Sequence, residues 1–523
     1  MSQQVLVAGA GPTGLTLAVD LARRGIAVRV VDRAGSPFQG SRGDGIQPRT
    51  LEVFDDLGVL DAVLAAGRDL PVMRAYFGGE FAGERRMAEP VDPTPDVPYP
   101  NGWVLGQSET EAILRDRLIE LGGRVEFDTA VADFTQDADG VTVSLLRDGV
   151  AETVRVRYLV GADGGASTVR KRLGIPFTGR TDESIRMLLG DVRVDALDHA
   201  CGYWFAAAAD QPMTGFALSP LPGGRRFQFA APLSADQKPD LATLQELADR
   251  HAPRLGLTLS ALSWVTVWRP NIRLADRFRD GRVLLAGDAA HVHPPTGGQG
   301  LNTGVQDAYN LGWKLAAALD GDPAPLDTYE SERRTVAARV LGLSTELLDK
   351  LVDGDEDAMR RGPETRQLDI SYRSPDEQGV LVAGDRAPDA PLADATGKPI
   401  RLFDLFRGPH ATLLRFGSTP GSGALGRTAS GVPGDLEDSG AHSVSVPTGD
   451  TPVGVDRNGS GVRTVEIRTG DSPIGADVTP AELRVVDTAG HAFTAYAATP
   501  GTHVLIRPDG HVAGRWQTAP RSR

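Results

Sequence analysis

A short apolar run followed at once by a glycine-rich turn opens this chain and limits what it can fold into. The run Val5 to Ala8 predicts a buried strand, and the turn from Gly9 to Gly14, GAGPTG, leads into apolar residues at helical spacing. Gly25 marks the end of that helix, and Ile26 to Val31 predicts a second strand with Asp32 at its end. The order strand, turn, helix, strand and acid predicts a parallel α/β unit.

The glycine spacing in this turn has a specific physical meaning. Gly9 allows the tight turn, Gly11 lets the backbone approach a pyrophosphate, and Gly14 lets the helix pack close to the strand. The helix N-terminus offers N–H groups and a partial positive charge to phosphates, and Asp32 stands where a carboxylate accepts from ribose hydroxyls. The alternative is a glycine-rich turn without a ligand, but the flanking strand and helix favour a dinucleotide site.

Composition and charge exclude several classes of protein. The chain has 523 residues, which predicts two or three domains. Its net charge of −14 argues against nucleic acid or an anionic membrane as partner, and no apolar run approaches the ~20 residues of a membrane span. Cys201 is the only cysteine, so intrachain disulfides and cysteine-based metal sites are excluded. The chain enters its first strand directly, so we expect no signal peptide and a cytoplasmic location.

Two further segments place polar residues where predicted strands end. The segment Tyr158 to Arg170, YLVGADGGASTVR, carries Asp163 after an apolar strand, either facing a nucleotide crevice or capping the helix that follows. The segment Gly281 to Val305 is predicted as strand, loop and helix, with glycines that leave backbone N–H groups available before the helix. It contains His291 and His293, but we expect no metal, because no third ligand is evident nearby.

The remaining segments differ in character. Residues 179–270 alternate as strands do and are rich in aromatic side chains, which predicts a second, sheet-rich domain whose aromatic residues are mostly core. Ser108 to Glu111 has the pattern of a capping box, with Ser108 as the N-cap of an amphipathic helix. A break near residues 380–391 separates a C-terminal region.

The three motifs GAGPTG, YLVGADGGASTVR and VLLAGDAAHVHPPTGGQGLNTGVQDAYNLGWKLA together resemble those of the FAD-dependent aromatic hydroxylases. These are the single-component, group A flavoprotein monooxygenases, and the likeness is greatest to bacterial hydroxylases of aromatic polyketides. The resemblance covers residues 1 to about 385. Residues 386–523, with GDRAPDAPL and VLIRPDGHVAGRW, look like the thioredoxin-like C-terminal domain of those enzymes. No Cys-x-x-Cys follows Phe416, so this region has no dithiol for redox chemistry.

The resemblance implies an α/β (α+β) fold in three parts. A discontinuous Rossmann-type FAD-binding domain would comprise residues 1–72, 101–178 and 271–385. A sheet-rich substrate-binding domain would be inserted as residues 73–100 and 179–270. Residues 386–523 would form the thioredoxin-like domain that lacks redox cysteines.

The resemblance also assigns roles to residues. Gly9, Gly11 and Gly14, with Pro12 and Thr13 between them, would hold the FAD pyrophosphate, and Asp32 the adenosine ribose. Arg33, Arg42 and Gln107 would lie near the phosphates and the ribityl chain. Asp163 of the second motif and Asp288 of the third would also contact the FAD. The flavin ring would lie against Pro295, Gly298, Gly300, Leu301 and Asn302. Substrate contacts are predicted, more weakly, for Trp204, Phe216, Phe227 and Pro295, and no catalytic side chain is assigned.

The activity implied is hydroxylation of a phenolic, polycyclic aromatic substrate. NADPH (or NADH) would reduce the FAD, O2 would add to give a flavin hydroperoxide, and one oxygen atom would pass to the ring. No second strand–GxGxxG–helix unit is present, which fits transient NAD(P)H binding in the same crevice. The alternatives are Baeyer–Villiger oxygenation on the same scaffold and a non-catalytic flavin-binding docking protein. We expect a monomer or homodimer.

Overall fold

The computed structural model describes residues 4–208, 211, 214–353, 355, 360–417, 461–469 and 482–518. Strands β1–β29 and helices α1–α11 are numbered along the chain. The helices are α1 Pro12–Arg23, α2 Pro48–Leu57, α3 Leu60–Ala66, α4 Gln107–Glu120, α5 Thr168–Arg172, α6 Leu241–His251, α7 Gly300–Leu319, α8 Ala324–Asp327, α9 Tyr329–Val352, α10 Leu402–Phe406 and α11 His491–Ala495.

A mostly parallel sheet carries the first motif at its centre. Its strands lie in the order β20-β21-β12-β1-β2-β8, and only β20 runs antiparallel to its neighbour among the strands described. Their bounds are β1 Val5–Ala8, β2 Val28–Val31, β8 Val125–Glu126, β12 Tyr158–Gly161, β20 Arg279–Asp280 and β21 Val283–Leu285. β1 and β12 are buried throughout, as their continuous apolar sequences predict for a sheet covered on both faces.

Helices α1 and α7 pack together against this sheet. Most side chains of α7 are buried, and α1 buries the run from Gly14 to Leu21. Gly312 of α7 lies so close to α1 that a Cβ atom built on it would stand 2.1 Å from a carboxylate oxygen of Asp20. The glycine therefore permits a close helix–helix approach, which fixes the N-terminal end of α7 relative to the turn that precedes α1.

A second, mostly antiparallel sheet lies in the order β18-β14-β17-β16-β15-β5-β6. The strands are β5 Met73–Phe77, β6 Glu80–Arg85, β14 Met187–Val194, β15 Gly202–Ala206, β16 Phe216–Pro220, β17 Arg226–Pro232 and β18 Leu259–Trp268. One face packs against α6 to form a core with stacked aromatic rings, among them Phe205, Phe216 and Phe229. The opposite face turns toward the parallel sheet.

Smaller sheets and a C-terminal sheet complete the described structure. Three short sheets contain β3 Gly45–Ile46, β4 Arg68–Asp69 and β7 Trp103–Val104; β9 Thr129–Gln136, β10 Val141–Arg147 and β11 Val150–Val156; and β13 Phe177–Thr181, β19 Asn271–Ala275 and β22 His291–Val292. The C-terminal strands, in the order β24-β23-β27-β26-β25-β28-β29, are β23 Pro391–Ala393, β24 Pro399–Arg401, β25 Ala411–Phe416, β26 Val462–Thr469, β27 Glu482–Asp487, β28 Thr502–Ile506 and β29 Val512–Gln517.

The turn between β28 and β29 docks on α7 and α2. The Tyr309 hydroxyl donates to the Pro508 carbonyl oxygen at 3.1 Å, and Asn310 Nδ2 donates to Asp509 Oδ2 at 3.2 Å. Arg49 of α2 donates to the Asp509 carbonyl oxygen at 2.8 Å. Asp509 is 1% exposed, so this turn is buried against the two helices and is not a surface loop.

The predicted α/β (α+β) class is confirmed by this arrangement of helices and sheets. The thioredoxin-like likeness of the C-terminal region and the division into three domains stay predictions, and part of residues 386–523 lies outside the described residues. Among the residues described, no helix combines the length and apolar character that crossing a membrane requires.

Candidate functional site

The sequence motifs meet at one edge of the parallel sheet. Gly9 follows β1, Asp32 follows β2, Asp163 comes two residues after β12, and Gly287 two residues after β21. The carboxyl ends of these parallel strands face a cavity of about 1610 Å³, which also reaches the second sheet. Fourteen predicted cofactor residues line it: Gly9, Gly11, Pro12, Thr13, Asp32, Arg33, Arg42, Gln107, Asp163, Asp288, Pro295, Gly298, Gly300 and Leu301.

The glycine-rich turn has the close contacts that its spacing predicts. A Cβ atom on Gly9, whose φ is 107°, would stand 2.2 Å from the Ala162 carbonyl oxygen, and one on Gly14 would stand 2.0 Å from the Gly9 carbonyl oxygen. A Cβ atom on Gly11 would meet nothing nearer than 4.0 Å. Gly14 therefore serves packing behind the cavity wall, whereas Gly11 leaves space on the cavity side for a ligand to reach the backbone.

Asp32 is tied to the turn as well as to the cavity. One carboxylate oxygen accepts from the Ala10 N–H at 2.7 Å and the other from the Ala34 N–H at 2.8 Å. Arg33 and Arg42 are exposed on the wall nearby. The carboxylate is thereby oriented at the end of β2, and the two arginines add positive charge close to a turn that suits phosphate.

Pro12 and Thr13 occupy the start of α1. Pro12 stands at the first helical position, where its missing N–H costs nothing. The Thr13 hydroxyl packs against Gly287 and Gly304, because Cβ atoms on those glycines would lie 2.5 and 2.3 Å from it. The start of α1 is thus in direct contact with the third motif.

Asp163 combines the two roles considered for it. Its Oδ2 accepts from the Thr168 N–H at 2.7 Å and the Val169 N–H at 3.3 Å, so it does cap the segment that leads into α5. Its Oδ1 is buried and has no hydrogen-bond partner among the described residues, although Asp163 lines the cavity. An unpaired buried oxygen in the wall fits a ligand that donates a hydrogen bond there.

The loop of the third motif is held from behind by a buried ion pair. His291 Nε2 and Asp307 Oδ2 are 2.7 Å apart, Asp307 Oδ2 also accepts from the Gly287 N–H at 3.0 Å, and Arg333 Nε donates to Asp307 Oδ1 at 2.7 Å. Although burial acts to raise it, His291 and Arg333 hold the pKa of Asp307 below its usual value. His291 therefore has a structural partner, and Asp288 is left exposed on the cavity side.

His293 lines the cavity in a different environment. Its Nδ1 lies 2.9 Å from the Pro294 carbonyl oxygen, and its buried Nε2 has no partner among the described residues. Burial lowers the pKa of His293 to about 4, so the ring is neutral at ordinary pH. Within the described ranges, no group of three His, Cys, Asp or Glu side chains is placed to hold a metal ion.

The entry to α7 presents backbone to the cavity. Gly297 and Gly298 have φ of 90° and 62°, and the first backbone bond of the helix runs from the Thr303 N–H to the Gln299 carbonyl oxygen at 2.9 Å. The N–H groups of Leu301 and its neighbours precede this bond, at the positive end of the helix dipole. Leu301 is on the wall.

Asn302 lies behind the wall instead of on it. Its Oδ1 accepts from the Gln47 N–H, and its Nδ2 donates to the carbonyl oxygens of Gly45 and Gly298, all at 2.8 Å. The buried side chain therefore joins the start of α7 to the segment before α2.

The second sheet supplies an apolar part of the wall. The register pairs Thr266 with Leu189, Leu189 with Ala230, and Ala230 with Ala217, and all four residues line the cavity. Side chains of paired residues share a face, so this row is the cavity face of the sheet. Met187 and Trp268 are paired two residues further along their strands and extend this cavity face.

Three of the four predicted substrate residues are not on this wall. Phe216 and Phe227 are 2% and 0% exposed and belong to the core on the opposite face, because side chains alternate along a strand. Trp204 pairs with Ala217 and shares the cavity face, but it lies further toward the sheet edge, where it packs edge-on against Phe77. Pro295 alone of the four lines the cavity. Phe216 and Phe227 therefore face the core of the second sheet, whereas Trp204 shares the cavity face without lining the cavity.

Several wall residues were not predicted. The predicted capping box is wrong, because α4 begins at Gln107 with Gly106 as its N-cap, and Glu111 faces the cavity instead of the helix start. Gln107 Nε2 donates to Glu111 Oε1 at 2.8 Å. The sequence from Ser108 to Glu111 matches a capping box, so the local pattern favours a helix start that the structure does not have.

An acidic group between the two sheets was also missed. Asp191 of β14 is 1% exposed and accepts from the Ser41 N–H at 2.9 Å and from the Ser41 hydroxyl at 2.5 Å. Gln228 Nε2 donates to that hydroxyl at 2.6 Å. Asp44 lines the cavity nearby, where burial, with the charge of Asp191, raises its pKa to about 6. The sequence gives no signal for this group, because its members are far apart along the chain.

Comparisons with known proteins agree with this geometry. Residues 2–344 match the FAD binding domain family. The chain is 49% identical to a flavin-dependent monooxygenase of Mycobacteroides abscessus over 428 residues, which is 79% of this chain and 88% of the relative. It is 38% identical to the 12-dehydrotetracycline 5-monooxygenase/anhydrotetracycline 6-monooxygenase of Streptomyces rimosus over 455 residues, 80% of this chain and 86% of the relative. A solved complex of aklavinone-11 hydroxylase with FAD and aklavinone matches with a TM-score of 0.75 at 28% identity, over 99% of this chain and 96% of that one.

Proposed function

The chain belongs to the family of FAD-binding monooxygenases, and we propose that it uses NAD(P)H and O2 to hydroxylate a phenolic, polycyclic aromatic substrate. FAD as cofactor and monooxygenation as reaction class follow from family membership. We propose, in addition, the class of substrate, the electron donor and the role of each residue in the cavity wall.

One observation carries the proposal. A single cavity of about 1610 Å³ joins the glycine-rich turn after β1 to the apolar face of the second sheet. A dinucleotide and an aromatic substrate could therefore meet inside one enclosure, as oxygen transfer between them requires. The row from Ala217 through Ala230 to Leu189 is apolar and consists mostly of small side chains, and it suits a planar fused-ring compound better than a small phenol.

The described residues fit FAD in chemical terms. The turn from Gly9 to Gly14 would hold the pyrophosphate, with Arg33 and Arg42 adding charge, and Asp32 would accept from the adenosine ribose. Gln107, Asp163 and Asp288 would face the phosphates and ribityl chain, and Asp163 Oδ1 is the buried oxygen that still lacks a donor. The ring would lie against the segment from Pro295 to Leu301, with Asn302 fixing that segment.

The work of the protein is positioning and enclosure. The chemistry that bound FAD supplies is reductive activation of O2 at the expense of NAD(P)H, with transfer of one oxygen atom to an aromatic ring. The N-terminus of α7 places positive charge beside the ring site and favours negative charge there. The sheet wall holds the substrate and excludes water. Asp307 and Arg333 hold the loop that carries Asp288.

The test is turnover with purified holoenzyme. We expect a flavin visible spectrum, NADPH oxidation stimulated by polycyclic phenols, and a product heavier by one oxygen atom. A lactone-type product that hydrolyses with ring opening would favour Baeyer–Villiger oxygenation. Bound FAD without substrate-stimulated turnover would favour a docking protein. An apoprotein that takes up no FAD would refute the function.

A variant pair tests the position of the substrate. Ala230→Leu adds volume to the cavity face, so we expect a higher KM for a polycyclic phenol with the flavin spectrum unchanged. Ala138→Leu, in an exposed turn outside the cavity wall, is the control and should leave KM unchanged. An unchanged KM for Ala230→Leu would contradict substrate binding on this face.

A further inference from the structure

Glu111 is a buried acid in the wall of the cavity, beside the glycine-rich turn. It is 3% exposed and belongs to α4, and its Oε1 accepts from Gln107 Nε2 at 2.8 Å. A Cβ atom built on Gly11 would have this same Oε1 as its nearest heavy atom, at 4.0 Å. The open side of Gly11, through which a phosphate reaches the backbone, is therefore the side that Glu111 faces.

Charged groups surround Glu111 from each neighbouring element. Asp32 approaches from the end of β2, Arg42 from the loop before β3, and Arg115 from the next turn of α4. Burial raises the pKa of Glu111 to about 7, with Asp32 adding to the rise and Gln107, Arg115 and Arg42 opposing it. The side chain thus exchanges its proton near neutral pH, unlike an ordinary glutamate.

We propose that Glu111 binds the FAD pyrophosphate as a neutral carboxyl, donating its proton in a hydrogen bond to a phosphate oxygen. The inference depends on the proposed FAD site and adds a contact to it. Gln107 Nε2 donates to Oε1, so in the neutral acid the proton belongs to Oε2, the other oxygen of the carboxyl that lines the cavity beside Gly11. An ionised carboxylate at this position would face phosphate oxygens in a desolvated site, where two negative groups repel strongly. FAD binding therefore keeps Glu111 protonated, and deprotonation of the free protein weakens binding.

Two other roles make different predictions. If Glu111 were ionised and accepted from a ribose hydroxyl, FAD would bind more tightly as pH rises. If it only oriented Gln107, the relative affinity of wild type and an amide variant would not depend on pH. The sign of the pH dependence separates the three cases.

The test compares FAD dissociation constants of apoprotein, measured by the change in flavin fluorescence on binding, for wild type and Glu111→Gln. The amide keeps the shape and donates without titrating. With a pKa of about 7, the ratio of the wild-type Kd to the variant Kd should rise about tenfold between about pH 6 and about pH 8. Taking the ratio cancels titrations common to both proteins.

The control is Glu120→Gln on the same helix, because Glu120 is exposed and pairs with Arg117. Its ratio to wild type should not vary with pH. A flat ratio for Glu111→Gln, or one that falls as pH rises, would overturn the proposed contact while FAD still bound. An apoprotein that binds no FAD at any pH would overturn the proposed function and this contact together, so the two failures are distinguishable.

Discussion

Replacement of Arg333 by Met tests whether the loop of the third motif is held by a buried ion pair. Arg333 and Asp307 are both 0% exposed, and the guanidinium also donates to the Tyr372 hydroxyl at 2.8 Å and to the Thr303 carbonyl oxygen at 3.2 Å. Met is also a long unbranched side chain, but it cannot donate to Asp307, which then keeps only His291 and the Gly287 N–H as partners. Removing one partner of a buried pair costs about 3–5 kcal/mol.

The measurement is urea unfolding followed by tryptophan fluorescence, with free FAD held at one concentration, because bound ligand adds to stability. The matched control is Arg339→Met on the same helix, α9, whose pair with Asp369 is about half exposed. Exposed pairs contribute about 0–1 kcal/mol, so the control should stay close to wild type. A loss for Arg333→Met within about 1 kcal/mol of the control would show that the buried pair does not stabilise the loop.

The pair also predicts a direction with pH. The pKa of Asp307 is held below its usual value in the folded protein, so its contribution is present above the unfolded-state pKa and is lost as pH falls toward the folded-state value. Without Arg333 the folded-state pKa rises. We therefore expect Arg333→Met to unfold at a higher pH than wild type in acid titration.

Three further changes have signs that the structure fixes. Gly14→Ala should lower stability by about 1–3 kcal/mol and weaken FAD binding, because its Cβ atom would meet the Gly9 carbonyl oxygen at 2.0 Å. Asp509→Ala should cost about 1.5–3 kcal/mol in urea unfolding, because it removes one of the two carboxylates that accept hydrogen bonds from Arg507, the other being Glu332. Asp44→Asn should raise the melting temperature at pH 8 but not at pH 4. A folded-state pKa of about 6 makes ionisation of this partly buried carboxyl destabilising above that pH.

Each of these changes has a control of the same chemistry. Gly342→Ala, at an exposed position of α9 where a Cβ atom would meet nothing within 4 Å, should stabilise by about 0.5–1 kcal/mol, the opposite sign to Gly14→Ala. Asp327→Ala removes an exposed partner of Arg279 and should be near neutral. For Asp44→Asn the acidic buffer is the internal control, and an equal rise in melting temperature at both pH values would contradict the titration.

Buried charged contacts join the described part of the C-terminal region to helices α7 and α9. Arg507 donates to Glu332 of α9 at 2.8 and 2.9 Å and to Asp509 Oδ2 at 2.6 Å, while the turn that follows contacts α7. Lys314 of α7 donates to Glu332 at 2.7 Å, and burial lowers the pKa of Lys314 to about 7. The region is therefore joined to the helix whose N-terminus enters the cavity.

The local units of the cofactor site could be predicted from the amino-acid sequence alone. Strand, glycine turn, helix and acid are encoded within about 30 consecutive residues, because backbone conformation at Gly9 and close packing at Gly14 are local requirements. The family, the FAD cofactor and the monooxygenase class followed from three such motifs and are confirmed.

Other features of the site arise from contacts between segments that are distant along the chain. The alternation around Phe216 and Phe227 indicates two faces of a strand but not which one meets the cavity, since that depends on what packs against each face. Glu111 matches a capping box in sequence, yet the N-cap of α4 is Gly106, two residues before the predicted Ser108, and the Glu111 carboxyl lies toward Gly11. Asp191 with Ser41, and Arg333 with Asp307, are partners across long stretches of chain. Burial and pairing of charges arise when distant segments meet, so no local pattern contains them.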